Sequence, residues 1–193
     1  RKAVIIDAPL TYIDNNGSDT YNGSLGVGFR IPLMRNWDVT PMARVGAVGS
    51  QDLGSVAAIY SLSATSSYRI HLDDVALTIG NMLAQYWTTS ISAGDYDIDY
   101  DLQNTVLRNG IGVEGSLPFK VFGGEGTSWQ LSLVVTRLFG DDLYVEYYND
   151  IALSIGRRQR PGDPSWKNWR LGITGTWGEH DYKGARLNFG YRF

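Results

Sequence analysis

The 193-residue chain contains no cysteine, which removes disulfide scaffolds, thiolate zinc sites, iron–sulfur clusters and cysteine nucleophiles together. It has only 2 histidines, His71 and His180. Neither stands in a Gly-x-Ser-x-Gly, His-x-x-Glu-His or His-x-Ser context, so no catalytic residues are expected. Positive charge is not in excess: 17 Lys and Arg face 20 Asp and Glu, for a net charge of -3. A nucleic-acid partner is therefore not expected. No stretch approaches the roughly 20 uninterrupted apolar residues of a membrane helix, and the apolar run after Arg1-Lys2 is too short for a complete signal peptide. The chain does have 23 Gly, 12 Tyr and 6 Trp beside 6 Pro and 3 Met, a mixture suited to antiparallel β structure with tight turns. With 43% hydrophobic and 19% charged residues, disorder is excluded and the length fits one domain, residues 1–193.

Alternation is the dominant signal. From Ala58 to Leu72 the even positions carry Ala58, Tyr60, Leu62, Ala64, Tyr68, Ile70 and Leu72, whereas the odd ones, Ile59 apart, carry Ser61, Ser63, Thr65, Ser67, Arg69 and His71. A period of two over this length is a strand with one apolar face. The same pattern sets Leu25, Val27, Phe29 and Ile31 against Ser24, Gly26, Gly28 and Arg30, and Trp169, Leu171, Ile173 and Trp177 against Arg170, Gly172, Thr174 and Thr176. Turn signals such as Asp14-Asn15-Asn16-Gly17, Asp73-Asp74 and Gly140-Asp141-Asp142 separate the runs. The expected strands are 3–13, 20–33, 37–50, 55–71, 75–90, 97–116, 128–139, 143–157, 167–177 and 183–193. In 75–90 and 97–116 the phase is muddled, and placing Leu102 and Leu107 on one face would need a bulge.

Gly, Ser and Thr dominate the polar face, while the other is aromatic and branched. A soluble sandwich or lipocalin-like fold also alternates, but it hides its large apolar residues and shows charge outside. An inside-out barrel reverses this, with apolar residues toward lipid and small polar residues in a narrow lumen. The expected fold is all-β, a closed antiparallel up-and-down transmembrane β-barrel of about 10 strands, with 8 or 12 also open. Trp37, Trp87, Trp129, Trp166, Trp169, Trp177 and Tyr191 would form interfacial girdles. Both termini and the turns at 33–37, 72–75, 117–127 and 158–166 are expected on the periplasmic side, and the loops at 14–19, 51–54, 91–97, 140–143 and 178–183 outside.

The end of the chain, Arg186-Leu187-Asn188-Phe189-Gly190-Tyr191-Arg192-Phe193, resembles the terminal strand of bacterial outer-membrane β-barrels. These proteins typically finish on an aromatic residue after alternating apolar positions. The resemblance implies an outer-membrane location, lipid and lipopolysaccharide as surroundings, and recognition by the barrel-assembly machinery through Leu187, Phe189, Tyr191 and Phe193. Asn36-Trp37-Asp38-Val39-Thr40-Pro41 leading into Arg44-Val45-Gly46, together with glycine-spaced strands, is similar to autotransporter-type barrels, especially solitary ones without a passenger.

Projecting the phases inward places Arg30, Arg44, Arg69, His71, Arg108, Arg170, Arg186 and Arg192 in the lumen with Asp7, Glu114, Glu146 and Asp150. Charges in a narrow lumen must pair or keep water. The first reading is a salt-bridged interior that locks the barrel, serving an integral barrel of structural or uncharacterised role and no enzymatic activity. The alternative is a narrow arginine-lined channel for small, preferably anionic solutes; a barrel-borne enzyme or ligand receptor comes second to that. The acidic run Asp95-Tyr96-Asp97-Ile98-Asp99-Tyr100-Asp101 reads as a solvated loop rather than a cation site. No metal or cofactor is expected. Arg157-Arg158-Gln159-Arg160 reads as a solvated or headgroup-level turn.

Overall fold

A computed structural model describes residues 2–15, 18–50, 55–91, 101–119, 126–157 and 169–191. Its elements are all strands: β1 (Ala3–Asp7), β2 (Leu10–Asn15), β3 (Ser18–Met34), β4 (Trp37–Ser50), β5 (Ser55–Leu72), β6 (Val75–Ile91), β7 (Leu102–Leu117), β8 (Thr127–Gly140), β9 (Tyr147–Arg157), β10 (Trp169–Gly178) and β11 (Lys183–Tyr191). They form one antiparallel meander in which β1 and β2 both pair with β3 and every later strand pairs with the next. The first two are one edge strand interrupted at Ala8-Pro9. Proline has no N–H to donate to the ladder, and Ser24 N–H instead donates to the Pro9 carbonyl at 3.2 Å. The architecture is the all-β, up-and-down arrangement of about ten strands that the alternation predicts.

The sheet curls. Glu114 on β7 meets Arg69 on β5 and Arg170 on β10. In a flat sheet, strands three places apart lie about 14 Å from one another, so these side chains meet because the inner faces converge. What turns inward is small and polar: Ser61, Ser128, Thr136, Asp150, Thr174 and Thr176 are buried, and the buried apolar residues on this face include Ala57, Ala76, Ala84 and Val106. What turns outward is large. Tyr60 is 47% exposed, Leu62 58% and Ile173 59%. A water-soluble sandwich would bury those side chains; the packing here is inverted.

Register explains the muddled strands. β7 pairs without interruption with β6 and β8 from Asn104 to Gly115, so Leu102 points in and Leu107 out with no bulge between them. A register irregularity does occur elsewhere, at Pro32/Met34 in the β3–β4 pair. β9 begins at Tyr147 rather than at 143, and residues 141–146 form a loop. Gly140 closes β8 at φ 130, where an added Cβ would lie 2.2 Å from the Gln103 carbonyl oxygen. Only glycine fits that backbone.

The tryptophans gather near strand ends. Trp37, Trp129 and Trp169 lie at the end carrying the 35–36 and 73–74 turns, and Trp87 and Trp177 toward the opposite end. The eight steps from Trp169 to Trp177 span about 26 Å along β10, or about 20 Å after the tilt of a barrel strand. That separation suits two aromatic girdles around an apolar band. Trp166 lies outside the described residues.

Candidate functional site: a charged lumen

Among the described residues, the inward-facing ion pairs sort into four clusters. At the end with the short turns, Arg30 Nε donates to Asp38 Oδ1 at 2.6 Å and its Nη2 to Asp38 Oδ2 at 3.2 Å. This fork-to-fork pair ties β3 to β4. The floor of the lumen is built on Glu114. Arg69 Nη2 reaches Glu114 Oε2 at 3.0 Å, and Arg170 Nη1 lies 3.7 Å from Oε1. Arg170 is also held by Ser128 Oγ at 3.1 Å and Ser154 Oγ at 3.2 Å. Serines on the inner face thus take up the guanidinium protons that the single carboxylate leaves over.

Higher in the lumen, Asp150 on β9 is nearly buried, its side chain 6% exposed. It accepts from Arg186 Nη2 at 3.1 Å, from Arg108 Nη2 at 3.4 Å and from the Thr176 hydroxyl. Burial of a carboxylate is tolerable because three donors replace its water. Arg44 on β4 pairs with Asp7 on β1. Glu114 and Asp150 each therefore serve two arginines, and both nodes carry more positive than negative charge.

The loop-end half of the interior is open. A cavity of about 410 Å³ lies there, bordered by residues from Asn22 and Ser24 on β3 round to Tyr148 on β9. Its rim is tied together by the two hairpin loops. The His180 ring stacks on Tyr144 with centroids 5.0 Å apart, and the Glu179 carboxylate accepts from Glu146 N–H at 3.1 Å.

The arginines and carboxylates anticipated from phase largely meet one another: Arg44, Arg69, Arg108, Arg170 and Arg186 with Asp7, Glu114 and Asp150. Glu146 is placed differently, exposed in the loop before β9 with its backbone held by Glu179. Phase alone carried it inward because the alternation appeared to begin at Leu143. Arg192 and Phe193 lie outside the described residues, as do residues 95–100 of the acidic run, whose last member Asp101 accepts from Thr89 Oγ1 at 2.8 Å. Leu187, Phe189 and Tyr191 stand in register with Ile173, Leu171 and Trp169 of β10, and Leu187 is exposed. His71 is exposed beside the 73–74 turn. Asp38 was not anticipated as the partner of Arg30; its nearness to a two-residue turn was the available signal. Among the described residues no His, Asp and Glu cluster could hold a metal ion.

No family model and no curated protein match the sequence. Among solved structures, the chain is similar to the β domain of the Bordetella autotransporter BrkA, at 13% identity and a TM-score of 0.43, over 97% of this chain and 87% of that one.

Proposed function

We propose that the chain is an integral outer-membrane β-barrel of autotransporter-like type. In this reading β1 and β11 pair to close the sheet, and the interior ionic network seals it. The observation that carries the reading is the inverted packing: Leu62 and Ile173 stand out in the open while Asp150 and Thr136 are buried. Closure follows from chemistry, because an unpaired strand edge has no water to satisfy it in hydrocarbon. Phe189 and Tyr191 lie in the strand that would carry the signal read by the barrel-assembly machinery, and lipid and lipopolysaccharide would surround the wall. The test is heat-modifiable migration of detergent-purified protein on a gel. A compact, faster species that converts to a slower one on boiling is expected; a protein that stays soluble without detergent overturns the proposal.

A second reading, a narrow anion-preferring channel, is favoured by one feature: two arginines share each of the carboxylates Glu114 and Asp150. Planar-bilayer recording separates the two readings. A sealed barrel gives no current steps, and an arginine-lined pore gives small steps selective for anions.

A further inference from the structure

On β6 and β7 the inside-out pattern weakens. Asn81, Gln85, Thr105 and Asn109 face outward, whereas Met82, Tyr86, Leu102 and Val106 face inward. The inward set does not fill the interior. It walls the 410 Å³ cavity, together with Ile59, Leu138 and Leu143. The ionic lining of this cavity is one-sided. Arg44 and Arg108 border it from β4 and β7, and no carboxylate is among its described lining residues. Arg44 Nε and Arg108 Nε, like Arg69 Nε outside the cavity, are buried with no hydrogen-bond acceptor, so it is the outer guanidinium nitrogens that remain for a ligand. A buried N–H without an acceptor is costly, and Arg108 already shares its carboxylate with Arg186.

We propose that this half of the interior binds a small amphipathic anion, with one anionic head on a short apolar body. The head accepts from Arg44 and Arg108, and the body lies against Ile59, Met82, Val106 and Leu138. Neither wall alone selects this class. A bare anion leaves the apolar surface wet, and an uncharged apolar molecule makes no use of the two guanidinium groups. The site rests on the barrel reading above, since the curled wall is what brings the arginines and the apolar side chains round one cavity. The Arg108–Asp150 node lies alongside it and the Arg69–Glu114–Arg170 floor beneath, so the ligand is held rather than passed through.

The test uses the full chain in nanodiscs and titration calorimetry with acetate, hexanoate, octanoate and 1-octanol, empty discs serving as blank. Saturable octanoate binding is expected, tightening up to about fourfold per added methylene from hexanoate, with acetate and 1-octanol at least tenfold weaker. Arg108→Gln should weaken octanoate at least tenfold. Should that variant fail to fold, Val106→Phe decides the matter, because it fills the cavity with every charge kept and should abolish binding. Acetate equal to octanoate, wild-type affinity in Val106→Phe, or no saturable binding overturns the inference. Heat-modifiable migration of the same samples separates the two failures. A folded barrel that ignores octanoate defeats this inference alone, whereas a chain that forms no barrel defeats both.

Discussion

Asp150 on β9 and Arg186 on β11 meet at 3.1 Å across the intervening β10, the carboxylate nearly buried and the guanidinium 59% exposed. The asymmetry sets an order of cost. Asp150→Asn leaves Arg108 and Arg186 facing each other without a counter-charge and should destabilise the folded barrel by about 3–5 kcal/mol. Arg186→Gln removes the more hydrated partner and leaves Arg108 and Thr176 on the carboxylate, so its cost should be about 1 kcal/mol. Urea midpoints in lipid vesicles measure both, and equal losses would contradict the arrangement.

Leu62 lies near the middle of β5 and faces outward. Leu62→Arg should therefore destabilise the protein in a bilayer by about 2–4 kcal/mol. The same exchange on a water-facing surface would change stability by less than about 0.5 kcal/mol. Reversible unfolding from vesicles distinguishes the two.

The outward pairs Asn81–Asn109, at 2.7 Å, and Gln85–Thr105, at 2.6 Å, place amides and a hydroxyl where lipid tails are expected. Each pair satisfies part of its own hydrogen-bonding capacity and leaves the rest unmet. Replacing both partners of the second pair, as Gln85→Leu with Thr105→Val, should raise stability in vesicles by about 1 kcal/mol. The single change Thr105→Val should not, because it strands the glutamine. A double variant weaker than the wild type would mean that this strip faces something other than lipid.

Glu114 holds Arg69 and Arg170 together across the floor. In Glu114→Gln the two cations lose their shared anion and should separate. If the network seals the lumen, this variant gives anion-selective current steps in planar bilayers where the wild type gives none. A silent variant that still runs as a folded barrel would place the seal elsewhere.

The strand order and the inverted faces were legible from sequence where small polar residues alternate strictly with large apolar ones, as along Ser61–Tyr68 and Arg170–Trp177. Legibility failed on β6 and β7 for a physical reason. The inner wall there is apolar around the cavity, at Met82, Tyr86 and Val106, and the outer wall carries the amide pairs, so the two faces resemble each other in hydropathy. Ion partners were less legible than ionic residues. Whether Arg69 and Arg170 find Glu114 depends on how far the sheet curls and on the stagger of strands two and three places apart, and neither leaves a periodic trace. The pairing of Arg30 with Asp38 is local to one hairpin and could have been found from turn spacing.

The break at Ala8-Pro9 divides the leading strand into two short lengths, Ala3–Asp7 and Leu10–Asn15. The β1–β2 edge of the sheet therefore offers a second molecule no long, continuous row of unpaired backbone groups on which to stack. A single proline thereby shortens the hydrogen-bonding template that this edge presents to a foreign strand.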